Sequence, residues 1–203
     1  MRRRLVVTLM AVGVSGAITL ALGNRSVSAA DNGTVGGTVT AKGLSSSADI
    51  VVSLQAPGLS PKPPANPVAV DQKSKVFIPH VLVVVTGTTV KFLNSDPFAH
   101  NVFSPEGKYD LGSWQQGQSK DYKFAKAGVY TQLCRVHPEM EAFVVVLDTP
   151  YFATTDPSGA FQIANVPPGQ YALVAWSAKL KTARQPITVE SGKPASVHLT
   201  LAK

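Results

Sequence analysis

The sequence predicts an all-β protein. Three observations carry that expectation. Short runs of β-branched and aromatic residues recur along the chain, Gly- and Pro-containing turn signals separate them, and no apolar 3.6-residue period persists over a dozen positions. The 203 residues include 16 Gly and 15 Pro, enough to supply many turns. At 44% hydrophobic and 15% charged, the chain is too apolar for a disordered tail and too poor in charge for a coiled coil. Strands spaced this closely build sandwiches.

Taken in order, the chain opens with Arg2, Arg3 and Arg4, followed by an apolar stretch over residues 5–22 and small residues at Ser28, Ala29 and Ala30. Basic, then apolar, then small is the order of a secretory signal, so residues 1–30 are expected to be a cleaved signal peptide. The alternative is an uncleaved anchor, since the apolar stretch is close to the shortest length that spans a bilayer. A twin-arginine route is conceivable, although Leu5, Val6 and Val7 are a poor continuation for it. The mature protein is expected to be periplasmic or otherwise exported, with membrane contact only through an uncleaved signal.

Residues 35–39 and 49–54 then read as strands, and the proline-rich run 57–67 (PGLSPKPPANP) reads as a break ending in a linker over 61–67. Residues 76–78 and 81–85 are apolar. A turn at Thr86, Gly87 and Thr88 precedes Val90, Phe92 and Asn94. Residues 122–124, 129–133 and 143–147 follow as strands. After Asp148 the composition shifts. Residues 154–161 form a turn entering a strand, Pro167, Pro168 and Gly169 form another turn, and 171–176, 187–189 and 197–201 complete the set.

Charge excludes one class of function. Four of the nineteen Lys and Arg residues lie in the first thirty positions, which hold no acid; beyond them fifteen bases face twelve acids, a net of +3. That excess forms no basic stripe, so nucleic-acid binding is not expected. The single cysteine excludes an intramolecular disulfide and any site needing several thiolates. A free thiol in an exported protein is a liability unless something occupies it.

Cys134 lies at the end of a strand and is followed by His137 and Met140, a Cys-x2-His-x2-Met spacing. His100 lies 34 residues upstream, at the end of another strand-like segment. Two imidazoles, one thiolate and one thioether form a soft set. Two His and a Cys with a weak axial Met suit type 1 copper; zinc rarely takes Met, and calcium and magnesium prefer oxygen. A strand end fixes Cys134, a tight loop containing Pro138 turns back toward it, and His100 comes across from a neighbouring strand. Four histidines in total are too few for the clusters of a multicopper oxidase, so an enzyme is not expected.

The motifs around these residues resemble the cupredoxins, in particular the plastocyanin and amicyanin group. The matching stretches are Val90-Lys91-Phe92-Leu93-Asn94, His100-Asn101-Val102-Phe103, the Gly-x-Tyr-x-x-x-Cys strand from Gly128 to Cys134, and the short ligand loop from Cys134 to Met140. The resemblance covers residues 68–148. It implies an eight-stranded Greek-key sandwich with one type 1 copper ion near one end, bound by His100, Cys134, His137 and Met140. It also implies that Asn101 braces the two ligand loops and that electrons pass through His137 at an apolar surface. The partners so implied are a donor dehydrogenase or cytochrome and an acceptor cytochrome. Two positions depart from the pattern. Gln132 replaces an inward aromatic and, if buried, needs hydrogen-bond partners. Arg135 adds a positive charge inside the ligand loop, which favours an acidic partner.

The flanks resemble the carboxypeptidase-regulatory, or transthyretin-like, sandwich. Gly37-Thr38-Val39 and residues 49–54 look like its opening strands; residues 155–161 and Val166-Pro167-Pro168-Gly169-Gln170-Tyr171 look like its later part. Residues 31–60 are too short for a core of their own. They are therefore expected to join residues 149–203 in a second small β-sandwich interrupted by the copper unit, with three consecutive units as the competing layout. His80, His198, Trp114, Trp176 and Asp156 are expected to be structural. The expected function is one-electron transport. Copper delivery, or a non-redox structural or adhesion module, are the alternatives.

Overall fold

The computed structural model describes residues 31–203. The expected signal peptide, residues 1–30, lies outside them. The described residues form sixteen strands and no helix: β1 (Gly33–Ala41), β2 (Val51–Gln55), β3 (Val68–Lys73), β4 (Val76–Ile78), β5 (Val81–Val85), β6 (Thr89–Leu93), β7 (His100–Ser104), β8 (Tyr109–Trp114), β9 (Ser119–Lys123), β10 (Gly128–Leu133), β11 (Glu141–Leu147), β12 (Phe152–Thr154), β13 (Ala160–Val166), β14 (Gly169–Trp176), β15 (Ala183–Val189) and β16 (Pro194–Leu201).

Strands β3 to β11 make two facing sheets, ordered β5-β11-β10-β7-β8 and β4-β3-β6-β9. The parallel pairs β5 with β11 and β3 with β6 are crossovers, and the remaining ladders are antiparallel. This is the Greek-key sandwich that the motifs imply, with nine strands in place of eight. The additional strand arises at Pro79. Having no N–H to donate, proline interrupts the apolar run 76–85, leaving β4 on one sheet and β5 on the other. Val90, Phe92, Val102, Phe124 and Val144 fill the space between the sheets.

The flanks make the second sandwich, with sheets β13-β1-β16 and β12-β2-β14-β15. Its core follows from alternation. Tyr171, Leu173 and Ala175 of β14 point inward, as do Val197, Leu199 and Leu201 of β16, while His198 and Thr200 face solvent. They meet Val35 and Val39 of β1 and Val52 and Leu54 of β2. β1 lies at the centre of its sheet, antiparallel to β13 and parallel to β16.

β2 and β11 break the alternation for the same reason. β2 buries four consecutive residues, and β11 buries Ala142, Val144, Val145 and Val146. A strand covered on both faces reads as a continuous apolar run. Val51 and Ser53 of β2 line a cavity of about 440 Å³ together with Val129, Val145 and Leu147 of the other sandwich. Trp176 lines it too and packs edge-on to Phe143, with ring centroids 5.6 Å apart. Trp114 is 3% exposed, as a core role requires.

Candidate metal centre

The strand ends bring three of the expected ligands together. Cys134 follows β10 directly and is 3% exposed. His137 lies in the next turn, which Met140 N–H closes by donating to the His137 carbonyl at 3.0 Å. His100 is fully buried; it opens β7, whereas the sequence suggested the end of a strand, because residues 94–99 (NSDPFA) form a loop. The side chain of Asn94 shapes that loop. Its amide donates to the carbonyls of Phe98 (2.9 Å) and Trp114 (3.0 Å), and its oxygen accepts the N–H of Asp96 (2.9 Å).

The two histidine Nδ1 atoms lie 3.1 Å apart, and each is 3.9 Å from Cys134 Sγ. An ion at the centre of three ligands, with bonds of about 2.0 Å to nitrogen and 2.3 Å to sulfur, needs separations of roughly 3.5–3.8 Å. The observed triangle brackets that range, so the donors are already spaced for one ion. Among the described residues, His100, Cys134 and His137 are the one such cluster of His, Cys or acidic side chains. One soft thiolate and two imidazoles fit a single type 1 copper ion. Met140, expected as the axial ligand, is 1% exposed and belongs to the same apolar core as Cys134.

The surroundings hold these groups still. Asn101 braces the site as the motif implied. Its amide donates to Asp110 (2.7 Å) and to the Gly112 carbonyl (3.0 Å), its oxygen accepts the Arg135 N–H (3.3 Å), and its own N–H points at Cys134 Sγ (3.5 Å). Phe98 packs edge-on to His100 and tilted against His137, with ring centroids 5.2 Å and 5.5 Å away. His137 is half-buried, and beside it Phe98 and Val136 are 37% and 53% exposed, leaving an apolar rim at the site.

Both departures from the motif are resolved. Gln132 is fully buried, and both ends of its amide are used. Tyr109 O–H donates to Oε1 (2.6 Å) and Nε2 donates to the Tyr130 carbonyl (2.9 Å). Tyr109→Phe strands Gln132 Oε1, so urea unfolding is expected to show a loss of about 1–3 kcal/mol. Arg135 does not stand free. Its Nε donates to Asp110 at 2.8 Å and its guanidinium lies 4.2 Å above the Phe103 ring, so the charge expected to attract an acidic partner is largely matched.

The Arg135 guanidinium, then the Gly112 N–H and the Asn101 amide, hold the Asp110 carboxyl down at about 2. An unfolded aspartate titrates near pH 3.9, roughly. The native value is the lower one, so this stabilisation is present above about pH 4 and disappears as pH falls toward 2. Over that interval the urea midpoint of Asp110→Asn is expected to fall less than that of the parent.

Sequence reasoning missed Asp96. It is buried, and its Oδ2 lies 2.8 Å from His100 Nε2, on the ring edge opposite the sulfur. Burial pushes its carboxyl up, but the Lys75 N–H, the His100 ring and the Ser74 N–H outweigh that and hold it below the ordinary carboxylate range. The residues set aside as structural sit accordingly. His80 is exposed, with Nδ1 3.1 Å from the Glu141 carbonyl and its ring against Phe143. His198 pairs with Thr38 across β16 and β1. Asp156 caps its own turn through the N–H groups of Ser158 and Ala160.

Comparison with known proteins returns two kinds of likeness. Residues 138–202 match the carboxypeptidase regulatory-like domain family. That span leaves out β1 and β2, which pair with its strands. Among solved structures, an amicyanin variant in its reduced Cu(I) form at pH 4 is 26% identical, over 47% of this chain and 98% of that one, with a TM-score of 0.39. A second amicyanin variant, in its reduced state, is 27% identical over 47% and 99%, with a TM-score of 0.38. A purple cupredoxin from Nitrosopumilus maritimus is 24% identical over 39% and 99%, with a TM-score of 0.36. No curated protein matches the chain. These are likenesses: to the carboxypeptidase regulatory-like domain family over residues 138–202, and to amicyanin and purple cupredoxin structures over 39–47% of the chain.

Proposed function

We propose that this is an exported one-electron carrier that exchanges electrons with protein redox partners through one type 1 copper ion. His100, Cys134, His137 and Met140 would hold the ion, three through imidazole or thiolate donors and Met140 through its weaker thioether. Residues 68–148 form the copper unit, inserted between residues 31–60 and 149–203 and entered through the linker 61–67; residues 1–30 direct export to the periplasm. The observation that carries the reading is the triangle of donor atoms, with sides of 3.1, 3.9 and 3.9 Å.

Copper, when bound, supplies the electron by alternating between its cuprous and cupric states. The residues of the chain keep that change small. Cys134 and His100 are buried at strand ends and Asn101 ties their loops together, so the ligands have little freedom to move. Donors that are already in place need little reorganisation during transfer, which lowers the barrier. Buried walls exclude water from the sulfur. The half-buried edge of His137, between Phe98 and Val136, is the route by which electrons leave, and its apolar rim is a surface that a partner can desolvate. The flanking sandwich covers the outer faces of β10 and β11 and serves as a scaffold.

The test is a visible and electron-spin spectrum of the copper-loaded mature protein, with voltammetry. An intense visible band and a reversible one-electron wave are expected. A colourless product that releases copper readily and gives no wave would favour copper delivery instead.

A further inference from the structure

We propose that Asp96 is the positioning residue of the copper centre: its carboxylate holds His100 with the proton on Nε2 and the Nδ1 lone pair toward Cys134, and its charge favours the oxidised state. This rests on the electron-carrier reading above.

Three features of the site converge on Asp96. The first is its place. His100 is fully buried, with one ring nitrogen facing the sulfur and the other 2.8 Å from Asp96 Oδ2. An ionised carboxylate only accepts, so the ring must donate from Nε2, and Nδ1 is left bare for the metal. The tautomer of a metal-binding histidine is commonly set by the hydrogen bond at its other nitrogen, and loss of such a partner lowers metal affinity about 10–100-fold.

The second feature is a turn that holds the carboxylate. Asp96 Oδ1 accepts the Ser74 N–H at 2.6 Å, and Oδ2 accepts the Lys75 N–H at 2.9 Å. Ser74 and Lys75 link β3 to β4, and both adopt left-handed backbone, with φ of 57° and 59°. Consecutive left-handed residues suit the tight turns that join antiparallel strands. Here the turn also directs two neighbouring N–H groups at one anion. Asparagine at position 96 can keep an oxygen on His100 and Lys75, but it then sets an N–H₂ against the Ser74 N–H. The pocket is thus built for a carboxylate.

The third feature is that, among the described residues, no Lys or Arg competes for the carboxylate. The Lys75 ammonium lies over the Phe98 ring, 5.7 Å from its centroid, and the ion-pair contact that the Asp96 carboxylate makes among these residues is with His100. The negative charge is therefore spent on the histidine and, through it, on the metal. An anion beside a centre that gains positive charge on oxidation stabilises the oxidised form, and low-dielectric surroundings preserve the effect.

Nitrogen-15 NMR of the copper-free native protein tests the positioning without metal. A single Nε2–H tautomer is expected at His100; an Nδ1–H form, or an even mixture, overturns the proposal whatever copper does. Asp96→Ala should mix the tautomers and weaken copper binding about 10–100-fold. Asp96→Asn retains an acceptor but loses the charge. In the copper-loaded protein it should favour the reduced form about tenfold, a rise in potential of about 59 mV. A potential within twofold of the parent equilibrium overturns the electrostatic role. The native tautomer needs no variant to fold. If copper gives no type 1 spectrum while the Nε2–H tautomer is present, the carrier reading fails and the positioning stands.

Discussion

Cys134→Ser is expected to abolish the visible colour of the copper-loaded protein and its reversible redox wave. The reason lies in the sulfur. A blue centre owes its colour and its fast electron exchange to a soft, polarisable thiolate bound to the metal. Serine is close in size but offers a hard oxygen that stays protonated near neutral pH. The fold should survive, since Cys134 lies just past a strand whose ladder is made by the backbone: β10 pairs with β11 from Gly128–Val146 to Leu133–Glu141. The far-ultraviolet spectrum should therefore match the parent while the visible band is gone. Retention of the intense band in the serine variant would mean that the thiolate is not the ligand.

Gly159→Ala is expected to destabilise the fold severely for the addition of a single methyl group. Gly159 closes the turn that Asp156 caps, at φ +86°, where an L-residue costs about 1–2 kcal/mol. A Cβ at this position would also lie 2.1 Å from the Val39 carbonyl oxygen. That is a clash with backbone, which no change of rotamer can relieve. The Val39 N–H donates to the Gly159 carbonyl at 2.8 Å, so moving apart breaks a bond between the N-terminal strand and the turn. Together these point to at least about 3 kcal/mol, the range reserved for specific structural conflicts. In a chain of this size that corresponds to a melting temperature lower by about 6–12 °C. The conflict lies in the flanking sandwich, so copper spectra of the folded fraction should be unchanged. A melting temperature within about a degree of the parent would mean that the turn can rearrange freely.

What the sequence made legible, and what it hid, follows from the range of each interaction. The Cys134–His137–Met140 loop is written in seven consecutive positions, and one strand end delivers it. His100 was recoverable only through the His-Asn motif, because nothing local states which strand lies opposite Cys134. Asp96 was hidden. In an Asn-Ser-Asp run an aspartate reads as a turn former, and its real partners, Ser74, Lys75 and His100, are brought together only by packing. Strand β8 was hidden as well, since Asp110 and Gly112 interrupt its pattern, and three-residue β12 is too short to show a period. The partnership of the two flanks was an expectation drawn from their likeness to one sandwich family and from the shortness of residues 31–60. The parallel register of β1 on β16, Thr38 opposite His198, was not, because it joins positions 160 residues apart.

That same β1 ladder has a consequence for biosynthesis. The ribosome makes β1 first of all the described strands, yet both its neighbours, β13 and β16, are among the last to appear. Throughout elongation this segment therefore has two open edges, a state that invites pairing with other chains. The intervening copper unit draws all its strands from one continuous stretch and can close as soon as β11 emerges. Maturation is thus staggered. The sandwich of β3 to β11 can form early, and β16, made later, brings the first-made of the described strands into its native sheet.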